Sequence, residues 1–208
     1  MFGKQDDYEA YGSDSPKGWW TALDFEIPEV LDYLFRILED VCTRYDVDGI
    51  EIDYFRSPML FRPHLEYQPA TPAQRDLLTE FQRRIRQMVY RVGTVQGRPI
   101  LVAARTPMNE PTCLHVGIDL IRWLDEDLID IFVAGGGYVP FTMPTAESVR
   151  IGHAHKVPVY PAINPSGTRC GDWQQIHYDN PSYWRAVASN VWNDGADGVY
   201  LFNIFPER

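Results

Sequence analysis

In the stretch Val47-Asp48-Gly49-Ile50-Glu51-Ile52-Asp53-Tyr54, two carboxylates are separated by a single apolar residue. The β-branched residues, the period of two and the Asp-Gly turn that opens the stretch predict a strand. Alternate side chains of a strand share a face, so Glu51 and Asp53 point one way while Ile50, Ile52 and Tyr54 point the other. Two carboxylates on one face can divide the roles of acid, base and nucleophile between them. Out of bulk water they also need cationic or hydrogen-bonding partners. Arg56 and Arg105, at or just beyond the carboxyl ends of predicted strands, are the candidates. The same residues also fit a purely structural salt-bridge network.

Further polar residues stand where predicted strands end. Asp53 and Arg105 are joined there by Asn164 and Asn203, and Glu110 follows the strand after Asp53, in the predicted loop Thr106-Pro107-Met108-Asn109-Glu110-Pro111. Glu110 is thus a candidate second carboxylate on a different element, a role it shares with Glu51. Trp19, Trp20, Tyr67, Tyr138, Phe141, Trp173 and Tyr178 fall in predicted loops and not at core spacing. Their flat faces suit the apolar faces of sugar rings, or they pack the loops themselves. His153 and His155 lie two apart on a predicted helix and so diverge, which does not make a ligand pair. No metal site, no cofactor motif and no Ser-His-Asp or Cys-His arrangement is read from the chain.

These residues are carried by an alternating series of elements. Apolar positions Val30, Leu31, Leu34, Ile37, Leu38, Val41 and Cys42 predict a helix from Pro28 to Tyr45, which feeds the Glu51 strand. A second helix, with Thr71 as cap and Pro72 at its first position, carries Leu77, Leu78, Phe81, Ile85, Met88 and Val92 into a strand from Ile100 to Arg105. A short helix around Gly117 to Asp125 leads to a strand from Leu128 to Ala134. A helix from Ala146 to Lys156, capped by Thr145, leads to a strand from Val157 to Asn164. A last helix, from Asn180-Pro181 to near Gly195, precedes the strand Gly198 to Asn203. Asp48-Gly49-Ile50-Glu51-Ile52 is echoed by Asp197-Gly198-Val199-Tyr200-Leu201, as a repeated unit or as a common Asp-Gly turn.

Five strands alternating with helices predict an α/β fold with a parallel sheet. No Gly-rich phosphate loop follows any strand, which disfavours a doubly wound sheet. Polar residues at the carboxyl ends of strands favour a (β/α)8 TIM barrel. Five strands do not close a barrel of eight, so residues 1 to 208 are expected to form one partial barrel domain, with about three strands expected upstream of Met1. Val102, Ile131 and Val159 are expected to line its interior, and Asp53, at the mouth, is expected to serve chemistry more than stability.

With 208 residues, 45% hydrophobic and 13% aromatic, the chain can bury a sizeable core. Its formal charge of −10 disfavours nucleic acid and anionic membrane surfaces as partners. No apolar run reaches the roughly 20 residues of a membrane helix, and no signal peptide is visible. Localisation stays open. Cys42, Cys113 and Cys170 are too few and too scattered for a disulfide framework.

The stretch Tyr45 to Arg56, with Pro28-Glu29-Val30 opening the preceding helix, resembles the mid-barrel strand of the glycosyl hydrolase-like 10 proteins, bacterial relatives of glycoside hydrolases. Gly117-Ile118-Asp119, Trp123 and Leu128-Ile129-Asp130 resemble a later segment of that family. The resemblance spans roughly residues 20 to 205. It implies a (β/α)8 barrel acting on glycosidic bonds, hence a carbohydrate partner. Asp48-Gly49-Ile50-Glu51-Ile52-Asp53-Tyr54-Phe55 is also similar to the Asp-Gly-x-Asp-x-Asp-x-Glu strand of family 18 chitinases, but Phe55 stands where the chitinase acid would be.

Glycoside cleavage uses two carboxyl groups. The expected assignment is therefore Asp53 as nucleophile or charge stabiliser, Glu110 or Glu51 as its partner, and Arg56, Arg105, Tyr138, Asn164 and Asn203 as substrate-binding residues. A non-catalytic carbohydrate-binding barrel and a metal-dependent lyase or aldolase on the same scaffold are the alternatives.

Overall fold

The computed structural model describes residues 23–56, 58–135, 144–163 and 181–202. Among them five strands, β1 (Gly49–Asp53), β2 (Leu101–Thr106), β3 (Ile131–Ala134), β4 (Val159–Ile163) and β5 (Tyr200–Leu201), form one parallel sheet in the order β1-β2-β3-β4-β5. Each strand pairs with the next one in the chain. A doubly wound sheet reverses direction part-way across, and this one does not. The register, Asp53 opposite Arg105 and Arg105 opposite Val133, continues through Val133 opposite Tyr160 to Ala162 opposite Tyr200. The fold is an incomplete (β/α)8 barrel of five parallel strands with its helices.

The helices form where capping and periodicity predict them. Helix α1 (Pro28–Arg44) has Pro at its start and buries Leu31, Phe35 and Cys42. Helix α2 (Pro72–Gln96) opens on a reciprocal cap: Gln74 N–H donates to Thr71 Oγ1 at 3.3 Å and Thr71 N–H to Gln74 Oε1 at 2.8 Å. It closes on Gly97 at φ 73°, a left-handed cap that favours glycine. The two helices pack side by side, with Arg84 paired to Asp32, Arg91 to Glu39, and the Arg84 guanidinium 3.9 Å above the Phe35 ring.

Two short helices connect β2 to β3, α3 (Glu110–His115) and α4 (Leu120–Asp125), where the sequence predicts a loop and then one helix. Asn109 Oδ1 accepts from Thr112 N–H at 2.9 Å and Asp119 Oδ1 from Arg122 N–H at 3.3 Å, so each helix has its own cap. Helix α5 (Ala146–Ala154) precedes β4 and α6 (Pro181–Asn193) precedes β5. Thr145 precedes α5 without capping it by its side chain. Its hydroxyl donates instead to Asp194 Oδ2 at 2.6 Å, tying the start of α5 to the end of α6. Among the described residues no helix is long and apolar enough to cross a membrane.

The core lies between the sheet and the helices. Val102, Ala104, Phe132 and Val159 are fully buried there, with Leu78, Ile85, Met88 and Trp123 from the helical layer. This corrects the expectation that Val102 and Val159 line the barrel interior. Strand parity sets them on the helix side, and the register assigns the other face to Gly49, Glu51, Asp53, Leu101, Ala103, Arg105, Ile131, Val133, Tyr160, Ala162 and Tyr200. That inner face mixes apolar side chains with small, polar and aromatic ones.

The helical layer closes on its sheet with little slack. A methyl group on Gly152 of α5 would lie 2.2 Å from Val159 Cγ2 and 2.9 Å from the Val157 carbonyl oxygen. Gly152→Ala is therefore expected to destabilise the fold by about 1–3 kcal/mol, the usual overpacking cost. In a chain of this size that lowers the melting temperature by roughly 2–4 °C per kcal/mol, which calorimetry would register. An unchanged melting temperature would mean that the helix shifts freely on the sheet.

Candidate functional site

The sheet is strongly curled, so residues of the first and last strands meet across its inner face. Tyr200 on β5 donates its hydroxyl to Glu51 Oε1 on β1 at 2.9 Å, although three strands separate them in the sheet. On a flat sheet four strand spacings of about 4.8 Å would hold their backbones nearly 20 Å apart, beyond the reach of the two side chains. Phe202, just past β5, packs likewise against Arg105 of β2, whose guanidinium carbon lies 3.8 Å from its ring centroid.

Asp53 is pinned at both oxygens. Oδ1 accepts from Phe55 N–H at 3.0 Å and Oδ2 from Arg105 Nη2 at 2.6 Å. The Arg105 side chain has no exposure to solvent, whereas that of Asp53 keeps about a third of its own (32%). Arg105 Nη1 donates to the Gly135 carbonyl at 3.4 Å, and Nε has no partner among the described residues. The buried guanidinium thus relies on Asp53 as its counter-ion and on Phe202 as its platform. Arg56, beyond the end of β1, reaches the same ring at 5.5 Å and is exposed.

Glu51 lies two residues before Asp53, on the same inner face and exposed. Burial pushes the Tyr200 phenol up to about 12, reinforced by its bond to Glu51, so it remains a neutral donor at working pH. The site therefore holds one carboxylate fixed by a cation and a second fixed by a neutral hydroxyl.

Glu110 is placed differently from the loop predicted for it. It is the first residue of α3, exposed, with Asn109 as its cap, and among the described residues no hydrogen bond or ion pair links it to Asp53 or Glu51. Beneath it, burial pushes the Cys113 thiol up to about 12, which leaves that cysteine an inert core residue. Tyr138, Asn164 and Asn203 lie outside the described residues. Tyr200 and Phe202 were not singled out from the sequence. The signal for them was the echo of the two Asp-Gly turns, which sets Tyr200 at the position of Glu51 and Phe202 at that of Asp53.

Behind the site, Tyr54 donates to Gln82 Oε1 at 2.7 Å, and Gln82 Nε2 donates to the Leu128 carbonyl at 3.2 Å. This chain ties the end of β1 through α2 to the approach to β3. His153 and His155 diverge, as their spacing requires, to Asp197 at 2.8 Å and Asp125 at 3.0 Å.

No protein-family model and no curated protein matches the chain. Solved structures do. A glycoside hydrolase family 18 N-acetylglucosaminidase from Paenibacillus barengoltzii aligns over 86% of this chain and 73% of its own length, with a TM-score of 0.58 and 13% identity. The PgaB (BpsB) glycoside hydrolase domain from Bordetella bronchiseptica aligns over 91% of this chain and 62% of its own length, at TM-score 0.56 and 14% identity. Chitinase ChiA74 from Bacillus thuringiensis aligns over 86% and 43%, at 0.55 and 8%. This chain has a glycoside-hydrolase-type barrel fold. It spans less than two thirds of the second and third of these structures.

The burial of Arg105 revises the expectation that Asp53 matters little for stability. Asp53→Asn leaves a buried guanidinium without its counter-ion, and breaking a buried pair costs about 3–5 kcal/mol. Because Asp53 is partly solvated, a loss near or below the lower end is expected, seen as a melting temperature several degrees lower. Arg105→Met in the same chain should restore part of it; additive losses in the double variant would reject the pairing argument.

A second test uses Asp197, whose carboxyl is held below the usual range by the Val159 N–H and then by His153. A lowered carboxylate stabilises the fold above its unfolded value near 3.9, and that stabilisation disappears as pH falls through the lowered folded value. Asp197→Asn should therefore melt a few degrees below the parent at pH 7, with the gap closing as pH falls below the unfolded value and through the lowered folded one. A constant gap across that range would exclude the linkage.

Proposed function

We propose that this chain is the carboxyl-terminal part of a glycoside hydrolase of the glycosyl hydrolase-like 10 type, cleaving a glycosidic bond in an oligo- or polysaccharide. The observation that carries the reading is the pair of carboxylates on the inner face of β1, two residues apart and held by partners of opposite character.

The division of labour follows from the partners. Asp53, bound at both oxygens and so fixed in place, stabilises the positive charge that develops at the anomeric carbon. Glu51, bound at one oxygen by a neutral hydroxyl, can exchange a proton at the other and serves as acid or base. Glu110, on the helix after β2, is the alternative acid. Arg56 and Arg105 position charge, with Tyr138, Asn164 and Asn203 as further ligands for hydroxyl groups. Substrates built on N-acetylglucosamine are the first to try, since the names of two structural neighbours, an N-acetylglucosaminidase and a chitinase, point there.

The working unit on this reading is the complete barrel, with three further βα units pairing along the open edges of β1 and β5. Exposed Tyr33 and Ile37 on α1, and Tyr183 and Trp192 on α6, give such units apolar surface to pack against. One observation favours a non-catalytic carbohydrate-binding barrel: Phe55 stands where the chitinase acid would be.

Turnover separates the two readings. The full-length protein should release reducing ends from chito-oligosaccharides or a related glycan. Glu51→Gln and Asp53→Asn should each lower kcat by about 10²–10⁴-fold, the usual contribution of a general acid or base. Glu110→Gln should spare substrates with activated leaving groups and slow the others if Glu110, and not Glu51, is the acid. Saturable glycan binding with no turnover by the parent protein would establish the binding barrel instead.

A further inference from the structure

The two Asp-Gly turns that echo each other in sequence open β1 and β5, the two ends of the sheet. Three residues after each Asp stand Glu51 and Tyr200, and these two side chains meet at 2.9 Å across the inner face. Five residues after each Asp stand Asp53 and Phe202, and Arg105 joins them, bonded to the first and lying on the second. Corresponding positions of the first and last strands are thus linked twice.

The glycines of the turns make room for this arrangement. A methyl group on Gly198 would lie 2.5 Å from the Tyr160 ring, and one on Gly49 would lie 2.8 Å from the Leu101 carbonyl oxygen. With Gly198 in place the Tyr160 ring lies against the turn that leads into β5. The ladder between β4 and β5 has only two pairs, Ala162 with Tyr200 and Ile163 with Leu201. The hydroxyl contact with Glu51 therefore connects a shortly paired strand to the carboxylate at the far end of the sheet.

We propose that Tyr200 is a positioning residue for Glu51: its hydroxyl fixes Oε1, leaves Oε2 as the oxygen that exchanges the proton, and so couples the seating of the last strand to the chemistry of the first. This rests on the reading of Glu51 as the acid or base. The hydroxyl therefore governs the rotamer of Glu51 and which of its oxygens is left to face a substrate.

The test uses the full-length protein and an aryl chito-oligosaccharide as probe. Tyr200→Phe removes the hydroxyl and keeps the ring. It is expected to lower kcat about tenfold, the weight of one hydrogen bond, with KM within about twofold. In the Glu51→Gln background the same change should have no further effect.

A wild-type kcat in Tyr200→Phe, with Glu51→Gln inactive, overturns the role of Tyr200 and leaves the proposed function standing. Multiplying effects in the double variant overturn it as well. Full activity in Glu51→Gln defeats the proposed function itself. If Tyr200→Phe does not fold, Glu51→Asp breaks the contact from the other side by withdrawing the carboxylate. It should lower kcat at least about tenfold with KM within about twofold, and a wild-type kcat rejects the proposal.

Discussion

A guanidinium without access to water has to be neutralised and held by the groups around it, and the upper part of this barrel is arranged around that requirement at Arg105. Its charge is met by Asp53 of the neighbouring strand, its face by Phe202 beyond the last strand, and one amino group by the Gly135 carbonyl after the third. One side chain thus engages β1 directly and the residues that follow β3 and β5. Asp53 is thus tied to the stability of this end of the sheet, held at one oxygen by Arg105 and at the other by the Phe55 amide.

The two faces of the sheet answer to different constraints. On the outer face Val102, Ala104, Phe132 and Val159 pack under helices with no exposure, and several of the polar groups buried there are closed into bonds. Tyr54 is satisfied by Gln82, Gln82 by the Leu128 carbonyl, and Trp123 donates to Thr79 at 3.0 Å. Such bonds add little net energy, but leaving any of them unmade would cost about 1–3 kcal/mol. They therefore set the position of α2 on the sheet more firmly than apolar contact alone. The inner face carries carboxylates, a guanidinium and tyrosines, which pair with one another because the curl of the sheet brings distant strands together. The rigid outer layer holds the inner one to its geometry.

Much of this was legible in the chain. Periodicity and caps identify the helices because those signals are local: Thr71, Gln74 and Pro72 act within one turn, and Gly97 ends the helix through its own backbone freedom. The period of two assigns Glu51 and Asp53 to one face for the same reason. Glu110 was misplaced because Asn109 reads equally well as a loop residue or a helix cap. Its bond to the Thr112 amide, which decides the matter, exists only once that turn has formed. Thr145 misled in the opposite way: a good cap by type, its backbone is helical and not in the extended cap conformation, and its hydroxyl donates to Asp194, 49 residues along the chain.

The sequence by itself determined the alternation of strands and helices, the shared face of the two carboxylates and the echo of the two Asp-Gly turns. All of these depend on neighbours within a few positions. Only the tertiary structure decided that the strands follow one another in order around a curved sheet, that Arg105 and not Arg56 is the buried partner of Asp53, and that Tyr200 closes on Glu51. Those outcomes depend on register and curvature summed over five strands. No short stretch of residues encodes that sum, so partners 52 and 149 positions apart could be found only after the sheet had bent.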